Sequence, residues 1–249
     1  MTVPPRLRVV GPGRAGRSLA TALSRAGWQV VGLVGRDGDV AGAASGTDLL
    51  VIATPDAAIA SVAAAVEPSE HAVVAHLAGS LGLEVLAGHP RAGALHPLVS
   101  LPDADVGAAR LAGAWFAVAG DPLVQRAAAD LGGRWFDVAD HDRATYHAAA
   151  AVASNHLVAL MGQVDRIAGG IGVPGEAYVA LAAASLRNVA DLGPADALTG
   201  PVARGDWDTV RRHLAAIDPS ERAAYLALAA AARRLVDDEG LPDDLAAGA

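Results

Sequence analysis

A chain of 249 residues, 53% apolar but only 4% aromatic, has the length for one large domain or two modest ones and must fill its core mainly with small side chains. Its net charge of −8, with no basic aromatic patch, argues against nucleic-acid binding. Zero cysteines exclude disulfides, thiolate metal sites and a cysteine nucleophile, and because all 19 basic residues are arginine, lysine chemistry is excluded as well.

The most apolar stretches are interrupted by Ser154, Asn155 and His156 or by Arg233 and Arg234, well short of the roughly 18 residues a membrane span needs. The chain passes from Met1 into a strand at Leu7 without the apolar region of a signal peptide. A soluble, cytoplasmic protein with no membrane partner is expected.

In chain order, β-branched runs alternate with alanine-rich helical segments. Residues 7–11 read as a strand, 13–26 as a helix stopped by Gly27, and 29–35 as a second strand. A strand over 48–54 ends at Pro55-Asp56, a helix covers 57–66, and strands follow at 72–77, 93–98 and 114–118. This alternation predicts an α/β domain built on a doubly wound parallel sheet, over 1–137. Beyond it the strand signal stops. Residues 140–168 read as one long helix, 175–192, 207–217 and 219–238 as three more, and 240–249 as a frayed tail, so 138–249 is predicted to be an all-helical domain.

The order strand, Gly11-Pro12-Gly13-Arg14-Ala15-Gly16, helix is the Rossmann dinucleotide-binding pattern in the context it requires. The first glycine permits the tight turn, the second lets a pyrophosphate approach the backbone, and the third allows close helix–strand packing. An NAD-specific site usually carries an acidic residue at the end of the second strand; here Gly35-Arg36 stands there. A guanidinium pairs with a 2′-phosphate, which favours NADP(H), with Arg14 and Arg17 as further phosphate contacts. The alternative is that Asp37 or Asp39 takes the ribose. Thr54-Pro55, at the carboxyl edge of the sheet, is expected to face the nicotinamide ribose. A deazaflavin cofactor stays open.

Three further segments carry candidate chemistry. His96-Pro97 ends a strand, and a histidine there can protonate the oxygen formed when a carbonyl accepts hydride; His76 and Ser80 belong to the preceding strand and loop. Within 140–168, His147, Ala151 and Asn155 fall at i, i+4 and i+8 with Ser154 beside them, a stripe that fits either a cleft wall or a helix–helix contact. In 198–206, Thr199 is placed to cap a helical turn and Asp206 to cap the helix that follows. Arg204 lies between them as a carboxylate-binding candidate, or as a surface arginine. The histidine spacing gives no metal motif.

Taken together, Gly11–Gly16, Gly93-Ala-Leu-His96-Pro97, Tyr146-His147, Ser154-Asn155 and Leu198-Thr-Gly-Pro-x-Ala-Arg204-Gly-Asp206 resemble a bacterial family with a Rossmann-like N-terminal domain and a helical C-terminal domain of unknown function (2520 type). The assembly is also similar to pyrroline-carboxylate reductases, prephenate dehydrogenases and ketopantoate reductase-like enzymes. The resemblance implies an NADP-dependent oxidoreductase acting on a small carboxylate substrate, with ketopantoate the leading 2-oxo acid, and a helical domain that serves substrate binding and homodimerisation. It implies His147 or His96 as acid, Asn155 on the carbonyl, and Arg204, Ser154 and Thr199 on the substrate. An imine or prephenate-like substrate, or a catalytically idle NADPH-binding regulator, is the alternative. One departure stands out. The catalytic lysine of classical ketopantoate reductases has no counterpart, since Ala151 stands four residues before Asn155.

Overall fold

The four-residue runs Leu49–Ile52 and Val73–His76 are buried at every position, the mark of strands covered on both faces by helices. In the computed structural model, which describes residues 3–237 and 240–246, they lie at the centre of a seven-stranded sheet. The strands are β1 (Arg6–Val10), β2 (Gln29–Val34), β3 (Leu49–Ile52), β4 (Val73–His76), β5 (Ala92–Pro97), β6 (Trp115–Gly120) and β7 (Arg134–Asp137), in the spatial order β2-β1-β3-β4-β5-β6-β7. Strands β1 to β5 run parallel, with Val9 opposite Val51 and Val51 opposite Ala75. The pair β5–β6 is antiparallel, so the sheet is mostly rather than wholly parallel.

Side-chain alternation sends Val9, Val51 and Val73 to one face with Leu19, Leu23 and Leu111, and Leu50, Ile52 and Val74 to the other with Ile59 and Leu86. Helices α1 (Arg14–Arg25), α3 (Ala104–Leu111) and α4 (Pro122–Asp130) cover the first face, and α2 (Asp56–Ala65) the second. Two of these helices and the last strand lie outside the sequence-predicted elements. Their start signals are nonetheless local: Asp103 accepts the N–H groups of Asp105 and Val106 at the head of α3, and Asp121 accepts that of Leu123 at the head of α4, with Pro122 in its first turn.

The chain divides into two compact units, Met1–Ser154 and Asn155–Ala249. The last strand ends at Asp137, and the first unit continues through a 3-10 turn (Asp140–Asp142) and α5 (Arg143–Ala151). The single helix expected over 140–168 is therefore interrupted. After α5 the backbone forms a π-helical turn over Val152–His156 before α6 (Leu157–Ala168) resumes the α-helix, so the i, i+4, i+8 spacing of His147, Ala151 and Asn155 does not run through as a regular α-helical stripe.

The second unit also contains α7 (Gly175–Leu192), α8 (Pro194–Ala197), α9 (Trp207–Ala216), α10 (Arg222–Arg233) and α11 (Asp243–Ala246). Its small core gathers Val202, Val210, Leu226, Ala229 and Leu245, and Glu221 ties α6 to the start of α10 through Arg166 and Gln163. The segment read as a helix over 219–238 begins with a 3-10 turn, and its α-helix ends at Arg233; Asp238 lies outside the described residues. The expected frayed tail is helical over Asp243–Ala246, where Leu245 is buried, while 247–249 lie outside the described residues. No helix among the described residues is long and apolar enough to cross a membrane.

Helices α1 and α3 meet through small residues. Ser18 is fully buried, its hydroxyl 2.8 Å from Arg14 O and 3.1 Å from Asp103 O, and a Cβ at Gly107 would lie 2.1 Å from that hydroxyl. Replacing Gly107 with valine should therefore cost about 2–3 kcal/mol of stability through overpacking. Urea unfolding should show the loss, and an unchanged midpoint would contradict this account of the crossing.

Candidate functional site

Parallel strands deliver their following loops to one edge of the sheet, and the order reverses between β1 and β3, which makes that edge a natural ligand crevice. At the end of β1, Gly11 adopts φ +90°, and a Cβ there would sit 2.9 Å from the Ala53 carbonyl and Thr54 Cγ2. A Cβ on Gly16 would lie 2.4 Å from Gly11 O. These two glycines are demanded by packing. Gly13 differs, because no protein atom lies within 4 Å of where its Cβ would be. It precedes a helix with no side-chain N-cap and no acidic residue in its first turn, so the first N–H groups of α1 lack a side-chain cap at its positive end. That arrangement fits a diphosphate.

The Gly11 N–H donates to Val34 O at 2.9 Å and holds the loop against the end of β2. There a cavity of about 420 Å³ is lined by Arg8, Leu33, Val34, Gly35, Gly38 and Asp39 among others. Arg36 is exposed at its approach, whereas the Asp39 carboxylate accepts the Gly42 N–H and braces the following turn. Arg14 is exposed and in no ion pair among the described residues, but Arg17 Nε donates to Pro12 O at 2.7 Å, which gives that arginine a bracing contact in the loop. After β3, the buried Thr54 hydroxyl oxygen has no hydrogen-bond partner and Pro55 is exposed, leading into Asp56 at the head of α2. Asp56 accepts a hydrogen bond from Ser80 Oγ at 3.0 Å.

Further along the same edge, β5 brings His96 against α5. Its Nδ1 lies 2.6 Å from the Tyr146 hydroxyl, and the His96 ring stands edge-on to both Tyr146 and His147, with centroids 5.6 and 5.7 Å away. Room for this cluster comes from Gly79: a Cβ there would lie 2.5 Å from His147 Nδ1 and 2.9 Å from His96 Cε1 and Nε2. Burial pulls the His96 imidazole down to about 4, helped by the charges of His147 and Arg143 and opposed by Asp56. Burial pushes the Tyr146 phenol up to about 12 against the pull of Arg143. Both groups are therefore neutral near pH 7. The phenol keeps its proton, and where it donates to Nδ1 the ring proton of His96 stands on Nε2, the side facing Gly79; in the other tautomer Nδ1–H donates to the phenolic oxygen.

His76, fully buried on β4, is also held below the usual histidine range, chiefly by burial. Its Nε2–H donates to Gly82 O at 3.2 Å, a bond that works in the opposite direction, and its Nδ1 is buried without a partner, as is that of His147.

The first unit thus brings together the glycine turn, Thr54, Pro55, His96 and His147. Ser154 is exposed in the π-helical turn that ends this unit. Asn155, Thr199 and Arg204 belong to the second unit, where all three are exposed. Asp206 caps α9 as expected, accepting the Thr209 N–H. Thr199 caps no helix, because 201–205 are a run of turns. Sequence reasoning quoted Tyr146 without giving it a role, and it missed Gly79, Asp56 and Arg143. Arg143, Tyr146 and His147 do sit at i, i+3 and i+4, the spacing that places three side chains on one helix face.

With this geometry in view, the comparisons with known proteins agree with the resemblance drawn from the motifs. The family model described as Domain of unknown function (DUF2520) matches residues 116–232. A candidate NADP oxidoreductase from Bacteroides fragilis is 21% identical, with a TM-score of 0.79 over 93% of this chain and 98% of its own. A protein from Thermotoga maritima is 22% identical, with a TM-score of 0.73 over 92% and 99%. Pyrroline carboxylate reductase from Plasmodium falciparum, solved with NADP bound, is 13% identical, with a TM-score of 0.58 over 94% and 98%. At these identities the likeness establishes a common Rossmann-type fold with a helical C-terminal region. No curated protein matches the chain.

The His96 geometry makes a pH-dependent prediction. Because the folded pKa lies below the ordinary 6.5, the unfolded chain takes the proton first. The histidine's stabilising contribution is intact above about pH 6.5 and falls away as the pH drops through about 4, by about 3 kcal/mol in all. Urea unfolding at pH 7 and pH 4 should show a larger acid loss in the wild type than in His96→Gln. Equal losses would place His96 in a less enclosed setting.

Proposed function

We propose that this chain, with its DUF2520 match and Rossmann-type fold, is an NADPH-dependent oxidoreductase that reduces a small 2-oxo acid. The observation that carries the reading is one sheet edge holding both an open, uncapped glycine turn and a neutral Tyr146–His96 pair. NADP binding by the Plasmodium falciparum neighbour of like fold supports the cofactor assignment.

In this reading Gly11, Gly13, Arg14, Ala15 and Gly16 hold the pyrophosphate, Arg36 pairs with the 2′-phosphate, and Thr54-Pro55 faces the nicotinamide ribose. NADPH supplies the hydride when bound. His96 then delivers its Nε2 proton to the substrate oxygen and recovers a proton at Nδ1 from the Tyr146 hydroxyl, a route that needs no lysine. His147 flanks the same point and helps exclude water. Residue chemistry alone supports the second unit's roles: Arg204, exposed and in no salt bridge among the described residues, for the substrate carboxylate, Asn155 for the carbonyl, and Ser154 and Thr199 for flanking contacts. Ketopantoate is the leading substrate, and a cyclic imine acid belongs in the same assay panel. Homodimerisation is part of the proposal. Helix α7 has eighteen residues and none is buried, with Val179 and Leu186 on one side and Leu181 and Leu192 on the opposite side all more than half exposed, apolar surface suited to a second copy of this chain.

Loss of NADPH absorbance with such a panel should exceed that with NADH about tenfold or more. Arg36→Ala should raise the KM for NADPH about tenfold, and His96→Asn should lower kcat by about 10²–10⁴. Arg204→Ala should raise the KM for the carboxylate substrate with little change in kcat. Tight NADPH binding with no turnover on any carbonyl or imine would replace this reading with that of an NADPH-binding regulator. Light scattering at micromolar concentration should return twice the chain mass, and Leu181→Glu should return the monomer; a wild-type monomer would remove the dimer.

A further inference from the structure

Arg143 is fully buried, yet its Nε and both terminal nitrogens lack hydrogen-bond partners among the described residues. Other arginines of the same unit behave differently. Arg8 donates to the carbonyls of Gly42, Ala43 and Ser45, and Arg91 engages both oxygens of Asp121 and the carbonyl of His71. Asp140 approaches Arg143 Nε only to 3.8 Å, and the other oxygen of that carboxylate accepts the Leu83 N–H at 3.1 Å. The charge of Arg143 is therefore enclosed and only loosely compensated. In a medium of low dielectric such a charge acts on its neighbours far more strongly than in water.

Those neighbours are the acid pair and its surroundings. Arg143 precedes Tyr146 and His147 by three and four residues on α5, so all three share the face that carries the Tyr146–His96 hydrogen bond. The charged and titratable groups around His96 are His76 from β4, Asp56 from α2, and Arg143, Tyr146 and His147 from α5. Around Arg143 they are Asp140, Tyr146 and Glu84. Asp56 is held by Ser80, and neither His96 nor Tyr146 has a carboxylate as hydrogen-bond partner.

We infer that Arg143 is a positioning residue for proton delivery: its enclosed, unspent charge keeps the His96 imidazole neutral at rest and stabilises the phenolate left on Tyr146 once the pair has given up a proton. The inference rests on the proposed oxidoreductase reading, and the step balances within it. Hydride forms the new C–H bond and carries the electron pair to the substrate carbon. The substrate oxygen takes the Nε2 proton of His96, Nδ1 takes the phenolic proton, and the phenolate recovers a proton from water. The guanidinium never transfers a proton. Its contribution is a fixed charge aimed at the group that becomes negative.

The test uses the full chain with Arg143→Met, which removes the charge without leaving an unsatisfied polar group, and Arg143→Lys, which keeps it. Imidazole NMR titration of the free protein should place His96 at about 4 in the wild type, about one unit higher in R143M, and within a few tenths of the wild type in R143K. In turnover, R143M should lower kcat at least tenfold and move the acid limb of the pH profile upward, with the KM for NADPH within twofold; R143K should recover most of the loss. A purely structural arginine would leave the His96 titration of a folded R143M unmoved, and that result overturns the inference. A wild-type His96 titrating near 6.5 does so too, whether or not either variant folds. The titration needs neither cofactor nor substrate. A protein that turns over nothing would therefore sink the oxidoreductase reading while the titration still decides whether Arg143 acts on the pair.

Discussion

His96 and Tyr146 share a hydrogen bond of 2.6 Å in a place where neither can carry charge cheaply. Removing an ionisable group from water favours its neutral form, so the imidazole is driven down and the phenol up, and the gap between about 4 and about 12 spans the whole physiological range. Much of the site follows from that enclosure. The pair is held without charge, Nε2 faces the Gly79 loop, and any nearby fixed charge matters more than it would at a surface. Gly79 is what permits the enclosure, since even one added carbon would collide with both histidines.

Glycines at this sheet edge serve separate ends. At Gly11 and Gly16 the constraint comes from the protein itself, because the turn must pass against Ala53, Thr54 and its own carbonyl. At Gly79 the missing side chain makes room for chemistry. At Gly13 no atom among the described residues lies near where a side chain would start, and α1 begins without a side-chain cap, which is why the proposed anionic ligand is assigned there. The carboxyl edge of one sheet therefore carries both the glycine turn and the neutral Tyr146–His96 pair, the two features on which the proposed function rests.

How much of this could be read from residues alone depends on the range of the physics. The glycine turn is legible because its constraint is local and its flanking strand and helix are strongly patterned. His96 is legible as a residue type at a strand end, but its partner is not, since fifty residues separate it from Tyr146 and only the sheet order brings them together. The same holds for the antiparallel turn of β6 and for the π-helical turn at Val152–His156, where an alanine-rich sequence reads as uninterrupted α-helix. Helices α3 and α4 announce themselves through Asp103 and Asp121-Pro122, signals weaker than the hydrophobic periodicity that defines the other elements. Arg143 illustrates the hardest case. Its spacing to Tyr146 and His147 is plain in the sequence, but its enclosure depends on the fold as a whole.

The chain contains no lysine, and that absence bears on what kind of proton donor the fold can build. A lysine can act as both charge and acid, since burial readily brings its pKa toward neutrality. Arginine cannot, because its proton stays bound. A lysine-free site must therefore divide the two tasks between residues: a neutral donor that can part with a proton, and a permanent cation that stabilises what remains. The Tyr146–His96 pair fits the first description and Arg143 the second, and α5 carries the phenol and the guanidinium one turn apart on the same face. Such a division carries a geometric demand that a single lysine escapes. The cation must act on the donor without being neutralised by a tightly bound carboxylate, and Asp140 approaches Arg143 Nε only to 3.8 Å.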